Sequence, residues 1–270
     1  MPNKRVQVNP TSHKAIFIEL LFNETVLSTA TAFFAKTEGK ILLFTNRHNV
    51  TGRNNDTGEY LSKTGGIPNK MVICLPVVFD SGAEHGAKKL GAYQYFSVDL
   101  YRGQDFEDPI WVEHPLPVKV DVVGFLIKIS GFDLGTLAFD ATEGRYLAEV
   151  GAMVNVLGFP YGLSTDGFPI WMSGYIASEP NVDYDHQPMF LIDCRTRQGQ
   201  SGSPVISILK KGQTVEHEGQ LFEAPGDITY LRGIYSGRIN AESDIGRVWK
   251  LSVIREILLN GVTIIPKINS

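Results

Sequence analysis

The feature that most constrains the fold is a succession of short apolar segments, each ended by a break that contains glycine or asparagine. The first third of the chain has such segments at 15–22, 29–35 and 41–45, where β-branched and aromatic residues dominate. Runs of this kind between turn residues are typical of β-strands. The 27 glycines and 14 prolines can supply the turns between many strands. The sequence therefore predicts an all-β protein.

A second series of strand-like segments begins at Met153 and includes 170–177, 189–194, 204–209 and 230–235. One segment has helical spacing instead, and a break at 260–261 closes it. Its apolar residues lie three and four positions apart, at Val248, Leu251, Ile254, Ile257 and Leu258. We expect two β-rich halves, 1–135 and 136–270, the second with a C-terminal helix, that together form one functional domain.

Charge and hydrophobicity exclude several classes of function. The net charge of −4 provides no basic field to hold nucleic acid or an anionic membrane. No stretch approaches the roughly 20 apolar residues that a membrane-spanning helix needs. The first ten residues do not resemble a signal peptide, and Cys74 and Cys194 allow at most one disulfide. We therefore expect a cytoplasmic protein that binds neither nucleic acid nor membrane.

The sharpest local motif surrounds Ser201, which has Gly199 two positions before it and Gly202 directly after it. A nucleophilic hydroxyl must lie on an exposed turn where backbone N–H groups converge on a developing oxyanion. Glycine permits the unusual backbone of such a turn. An ordinary Ser/Gly/Pro surface turn has the same composition, so this motif alone leaves both interpretations open.

The second motif is His48, which follows the apolar segment 41–45 at its polar end. A rigid strand end suits a general base, although a histidine there can equally be an ordinary loop residue. The other five histidines lack the spacing of metal ligands, so we predict no metal site and interpret them as surface residues. They are His13, His85, His114, His186 and His217.

The third motif is Asp121, which lies inside an apolar run that extends to Ile127. A buried carboxylate without a partner is costly. Accepting the Nδ1–H of His48 would satisfy Asp121 and would fix the imidazole tautomer. A solvent-facing aspartate at a strand edge is the alternative. Asp99 and Asp133 are rival candidates, but neither precedes an apolar run of similar length.

With histidine, aspartate and serine in this order, the chain resembles the trypsin/chymotrypsin-like serine proteases. Within that superfamily it looks most like the bacterial high-temperature-requirement proteases. Thr45–His48 is similar to their Thr-x-x-His block, and Gly199–Pro204 is similar to their Gly-x-Ser-Gly-[Gly/Ser]-Pro block. The resemblance implies two packed six-stranded antiparallel β-barrels with a catalytic triad in the cleft between them.

The resemblance also assigns individual roles. It implies Ser201 as the nucleophile, His48 as the general base and Asp121 as the residue that orients it, without any cofactor. The backbone N–H groups of Gly199 and Ser201 would form the oxyanion hole. Gln200 replaces the aspartate that zymogen-activated members place before the serine, so we do not expect activation through an ion pair with a new N-terminus.

The resemblance places the substrate-specificity pocket at two segments. Arg195, six residues before the serine, would lie at the base of the pocket, and the strand that contains Ser236 and Arg238 would form its wall. An inward-facing arginine would favour an acidic P1 residue, the residue before the scissile bond. After the C-terminal helix only 261–270 follow, which is too short for the peptide-binding module that such proteases often carry.

The function expected from these residues is a serine endopeptidase that acts on polypeptides. The alternative is a binding module in which a protease fold serves as a peptide or protein platform, with or without gating by a regulatory partner. Long loops expected at 53–69 and 82–92 support that alternative, since such loops can act as lids or docking surfaces. An esterase of another fold fits less well, because it would need a Gly-x-Ser-x-Gly motif and a histidine after the serine.

Overall fold

The structure is a computed structural model that describes residues 8–37, 39–80, 88–103, 105–115, 120–142, 149–217, 220–240 and 242–262. The strands are β1 Ala15–Phe22, β2 Thr25–Thr37, β3 Lys40–Thr45, β4 Lys70–Asp80, β5 Lys88–Asp99, β6 Val123–Phe125, β7 Phe139–Asp140, β8 Met153–Gly158, β9 Ile170–Ile176, β10 Met189–Asp193, β11 Pro204–Leu209, β12 Thr214–His217, β13 Gln220–Glu223, β14 Ile228–Arg238 and β15 Ile245–Lys250. The helices are α1 Arg47–Thr51, α2 Leu134–Leu137 and α3 Leu251–Asn260, with short 3-10 turns at Pro10–His13 and Pro160–Gly162.

The N-terminal half is a sheet with the strand order β5-β4-β1-β2-β3-β6, and β7 adds to β2 in parallel. In β1 the side chains of Ile16, Ile18 and Leu20 are all fully buried. This period of two puts them on one face of the strand. They pack with Phe34 and Leu43 from the neighbouring strands in one hydrophobic core. Alternating apolar residues therefore set the register of this sheet.

The C-terminal half is a closed barrel in which the strands follow the order β10-β15-β14-β11-β8-β9, each antiparallel to its neighbours. Its interior contains Val156, Ile192, Val205, Tyr235 and Val248. The predicted all-β fold with a C-terminal helix is thus confirmed, and one six-stranded barrel is closed. In the N-terminal half, the pairings between described residues form an open path rather than a second closed barrel.

A second hydrophobic core joins the two halves. Phe33 and Phe44 of the N-terminal sheet belong to the same buried cluster as Ile234 and Trp249 of the barrel. Helix α3 adds Val253, Ile254 and Ile257 to this cluster. Burial of this apolar surface holds the two halves together and fixes the cleft between them.

Several boundaries differ from the predicted ones. Val248 belongs to β15, and α3 begins at Leu251. Strand β5 begins at Lys88, within the predicted loop 82–92, whereas 53–69 is a loop as predicted. The division at 135/136 stays a prediction; β7 lies beyond it and still pairs with β2. No helix of the described ranges is long and apolar enough to cross a membrane.

Candidate active site

His48 lies in the first turn of α1, which follows β3 after a single residue, Asn46. Gly52 follows the helix and caps it, because its left-handed φ of 63° lets its N–H donate to the carbonyl of His48. The Asn46 side chain donates from Nδ2 to the backbone carbonyl of Asp121 at 2.7 Å. A short helix and a buried amide therefore hold the imidazole beside the aspartate.

Asp121 is only 4% exposed, and its carboxylate accepts three hydrogen bonds. The backbone N–H of His48 donates to Oδ1 at 2.8 Å, and Nδ1 of the same residue lies 2.6 Å from Oδ2. The Ser236 hydroxyl donates to Oδ2 at 2.5 Å. These donors satisfy the buried charge, and the contact at Nδ1 favours the tautomer whose Nε2 can accept a proton. The predicted pairing of His48 with Asp121 is present.

Ser236 lies in a position that differs from its predicted role. We predicted it in the wall of the specificity pocket, but its hydroxyl is buried against Asp121. Because side chains alternate along a strand, the neighbouring Tyr235 of β14 points instead into the barrel interior. Ser236 therefore belongs to the hydrogen-bond network of the aspartate.

Ser201 and His48 both line one cavity of about 310 Å³. The turn that presents the serine depends on glycine at two positions. A Cβ on Gly199 would lie 2.4 Å from the carbonyl oxygen of Phe159, and one on Gly202 would lie 2.0 Å from that of Thr31. Both glycines also have a left-handed φ, 93° and 87°. Only glycine fits at either position.

The backbone beside Ser201 leaves two N–H groups without an acceptor in the described part of the chain, those of Gly199 and Ser201. The carbonyl of Gln198 accepts from the Tyr161 N–H at 2.7 Å, and that of Gln200 accepts from the Ser203 N–H at 3.0 Å. These bonds point the carbonyls away from the cavity that Gly199 and Ser201 line. The N–H groups of Gly199 and Ser201 lie on the opposite side of these planar peptide units, and their role as oxyanion-hole donors stays a prediction.

The fully buried Gln200 makes two hydrogen bonds to Arg197 within this loop. Its Oε1 accepts the Arg197 N–H at 2.7 Å, and its own N–H donates to the carbonyl of the same residue at 3.2 Å. An uncharged amide therefore closes the turn where zymogen-activated relatives carry an aspartate.

The structure does not place Arg195 at the base of a pocket. Its side chain is 81% exposed, with Nε 3.7 Å from Oδ2 of Asp244. Beside it, the hydroxyls of Thr196 and Tyr235 bond to each other within the barrel. Burial raises the pKa of Tyr235 to about 12, so the phenol is neutral. Arg238 lies half-buried at the end of β14, opposite Gly246.

Two features of the structure, one at the site and one away from it, were not predicted from the sequence. The cavity has an apolar side formed by Leu27, Leu61 and Pro68, and the last two lie in the long loop 53–69. The interpretation of His114 as a surface residue is wrong, because it is 6% exposed and its Nε2 lies 2.8 Å from Oε2 of Glu256 on α3. His85 lies outside the described residues.

No group of three or more potential metal ligands occurs within the described ranges. Burial raises the pKa of Cys194 to about 11, which keeps this thiol neutral and unreactive at ordinary pH. The site thus combines the Ser201 hydroxyl, an imidazole that contacts a buried carboxylate, and two backbone N–H groups.

The fold and the site place the chain in the class of serine proteases, which are hydrolases. Residues 30–215 match the family model described as a trypsin-like peptidase domain. This match spans more than half of the chain, and the protein belongs to that family. Among curated proteins, none matches the sequence.

Two solved structures share the fold at low sequence identity. The thermostable serine protease AL20 from an extremophilic microorganism is 12% identical, with 93% of this chain and 97% of that chain covered and a TM-score of 0.52. The serine endoprotease from Yersinia pestis is 13% identical, with 94% of this chain and 66% of that chain covered and a TM-score of 0.51. At these identities the likeness concerns the fold.

Proposed function

We propose that the protein is a serine endopeptidase in which Ser201 is the nucleophile, His48 the general base and Asp121 the residue that orients the base. The observation that carries the proposal is the 2.6 Å contact between His48 Nδ1 and Asp121 Oδ2, made beside a cavity that Ser201 shares. A buried carboxylate at Nδ1 leaves Nε2 as the nitrogen able to take a proton from a hydroxyl.

In the proposed reaction, Ser201 Oγ attacks the scissile carbonyl carbon while its proton moves to His48 Nε2. The backbone N–H groups of Gly199 and Ser201 stabilise the negative oxygen of the tetrahedral intermediate. The intermediate collapses to an acyl-enzyme as the imidazolium gives its proton to the leaving amine. A water molecule then repeats the sequence, and the serine regains its proton as the acid product leaves.

The charge of Asp121 stabilises the imidazolium that forms in each half of the reaction. Three hydrogen-bond donors hold the carboxylate in place beside the imidazole. Each oxyanion donor typically contributes about 100- to 1000-fold to kcat. These contributions come from fixed groups, so they need no metal or organic cofactor.

Polypeptides are the proposed substrates. A preference for an acidic P1 residue now rests on Arg238, since Arg195 faces solvent. Arg238 is half-buried at the end of the strand that also contains Ser236, and it is close enough to Tyr235 for its positive charge to oppose the rise in the Tyr235 pKa that burial causes. A cytoplasmic location and control by a regulatory protein remain predictions from the sequence.

The alternative function is a binding module or a protease that a partner must activate. The observation that favours it is the absence, among the hydrogen bonds of the described residues, of one between Ser201 Oγ and His48. Catalytic hydrogen bonds are often long before substrate binds, so this absence is also compatible with an active enzyme.

Labelling with a fluorophosphonate probe distinguishes these functions. We expect the purified protein to react, and we expect Ser201→Ala and His48→Ala to abolish the reaction. Matched controls are Ser97→Ala and His186→Ala, which change an exposed serine and an exposed histidine outside the site and should label like the parent. A folded parent that remains unlabelled would exclude a constitutively active protease.

A further inference from the structure

Thr31 is a fully buried residue of β2 that lies outside every motif found in the sequence. It comes from the N-terminal sheet, where it pairs with Phe17 of β1. Its contacts, however, reach across to the loop of the C-terminal half that carries Ser201. The backbone N–H of Thr31 donates to the carbonyl of Ser201 at 3.0 Å.

The side-chain hydroxyl of Thr31 makes two hydrogen bonds whose directions are fixed. The backbone N–H of Phe159 donates to Oγ1 at 3.2 Å, so the hydroxyl acts there as the acceptor. Its own proton is then directed to the carbonyl oxygen of Gly199, 2.9 Å away. All three groups are buried, so water cannot replace either partner without a rearrangement.

This contact completes a set of four consecutive carbonyls that are all held by donors. Those of Gln198 and Gln200 accept from Tyr161 and Ser203, and those of Gly199 and Ser201 accept from the side chain and the backbone of Thr31. Because each peptide unit is planar, holding its carbonyl also fixes the opposite N–H. The Gly199 carbonyl is held by the Thr31 hydroxyl at 2.9 Å, and the Ser201 carbonyl also accepts from the Asn49 side chain at 3.4 Å.

We propose that Thr31 is a positioning residue for the oxyanion hole, acting through the Gly199 carbonyl. This inference rests on the proposed peptidase function. The hydroxyl fixes the peptide unit between the two donors, Gly199 N–H and Ser201 N–H, and so sets their relative direction. The N–H of this same peptide unit, that of Gln200, donates to the Arg197 carbonyl at 3.2 Å, so the shorter bond from the Thr31 hydroxyl is one of two that hold the unit.

The test compares Thr31→Val, which keeps the shape without the hydroxyl, with Thr31→Ser, which keeps the hydroxyl. For Thr31→Val we expect kcat to fall about 10- to 100-fold, somewhat less than the loss of an oxyanion donor itself, with KM nearly unchanged. Affinity for a peptide aldehyde, whose adduct places an oxyanion in the hole, should fall by the same factor. Thr31→Ser should restore most of both.

A matched control is Thr11→Val, which also changes a buried threonine but lies away from the loop. It should leave kcat and aldehyde affinity as in the parent. The inference is overturned if Thr31→Val retains the parent kcat, or if Thr31→Ser is impaired to the same extent as Thr31→Val. A loss confined to KM or to the melting temperature would also overturn it, since it would indicate a structural role alone.

A crystal structure of Thr31→Val gives a readout that does not depend on activity. We expect the Gly199 carbonyl to turn from its present direction in that variant, and an unchanged carbonyl would refute the inference. If the parent fails to react with the fluorophosphonate probe, the proposed function fails, and this structure still decides whether Thr31 holds the loop.

Discussion

The change Asp121→Asn tests the orienting role with almost no change in volume. The asparagine can place its oxygen where Oδ1 accepts the backbone N–H of His48. Its NH₂ group then occupies the position of Oδ2, where it faces two donors, Nδ1 of His48 and the hydroxyl of Ser236. In the opposite orientation the NH₂ group would face the backbone N–H of His48. That conflict between two donors is worse, because a backbone N–H cannot lose its proton.

The imidazole can relieve the remaining conflict by moving its proton from Nδ1 to Nε2. In that tautomer Nε2 is a donor and cannot accept the proton of Ser201, so the base is lost while the fold is kept. The loss of kcat in this situation is about 10⁴-fold. That factor corresponds to about 5 kcal/mol of transition-state stabilisation.

The assay is the rate of fluorophosphonate labelling together with hydrolysis of a peptide substrate. Asp99→Asn is the matched control, because Asp99 is an exposed residue of β5 and was a rival candidate from the sequence. It should react like the parent. If Asp121→Asn stays within about tenfold of the parent rate while its melting curve is unchanged, the assignment of Asp121 is refuted.

Two further predictions concern the glycine turn and substrate choice. Gly212 lies outside the turn at Ser201 and serves as the control. Gly212→Ala should lower the free energy of unfolding by ~1 kcal/mol because of the left-handed φ alone, since the new Cβ meets nothing within 4 Å. Gly202→Ala should cost several times more, because its Cβ would also lie 2.0 Å from the Thr31 carbonyl. If denaturant unfolding shows the same loss of unfolding free energy for Gly202→Ala and Gly212→Ala, the argument from the steric clash is wrong. For Arg238→Gln, peptide-library cleavage should lose a preference for acidic P1 residues, and an unchanged cleavage profile would remove Arg238 from the specificity pocket.

Much of the fold could be predicted because its determinants are local. Apolar alternation in segments such as 15–22, and glycine between them, indicate strands and turns without knowledge of their partners. The spacing of Leu251, Ile254 and Ile257 likewise predicted α3. The boundary at Val248 could not be placed, because its apolar side chain fits the interior of the barrel as well as the face of a helix.

The candidate site was predictable where a residue's role follows from its immediate neighbours. Gly199 and Gly202 beside Ser201 indicate a turn that only glycine can form, and this holds in the structure. Arg195 shows the limit of this reasoning. Its distance from Ser201 along the chain suggested a position in the pocket. The direction of its side chain depends instead on Asp244, which lies in the connection between β14 and β15 and comes close only in the folded protein.

The sequence by itself determined the all-β class, the C-terminal helix, and the His48, Asp121 and Ser201 motifs, because turn chemistry and apolar periodicity act over a few residues. Only the tertiary structure decided that Ser236 bonds to Asp121, 115 positions away, and that Thr31 bonds to Gly199, 168 positions away. Such contacts depend on how the two halves pack around a shared core, and this packing cannot be inferred from the residues next to Ser236 or Thr31 in the sequence.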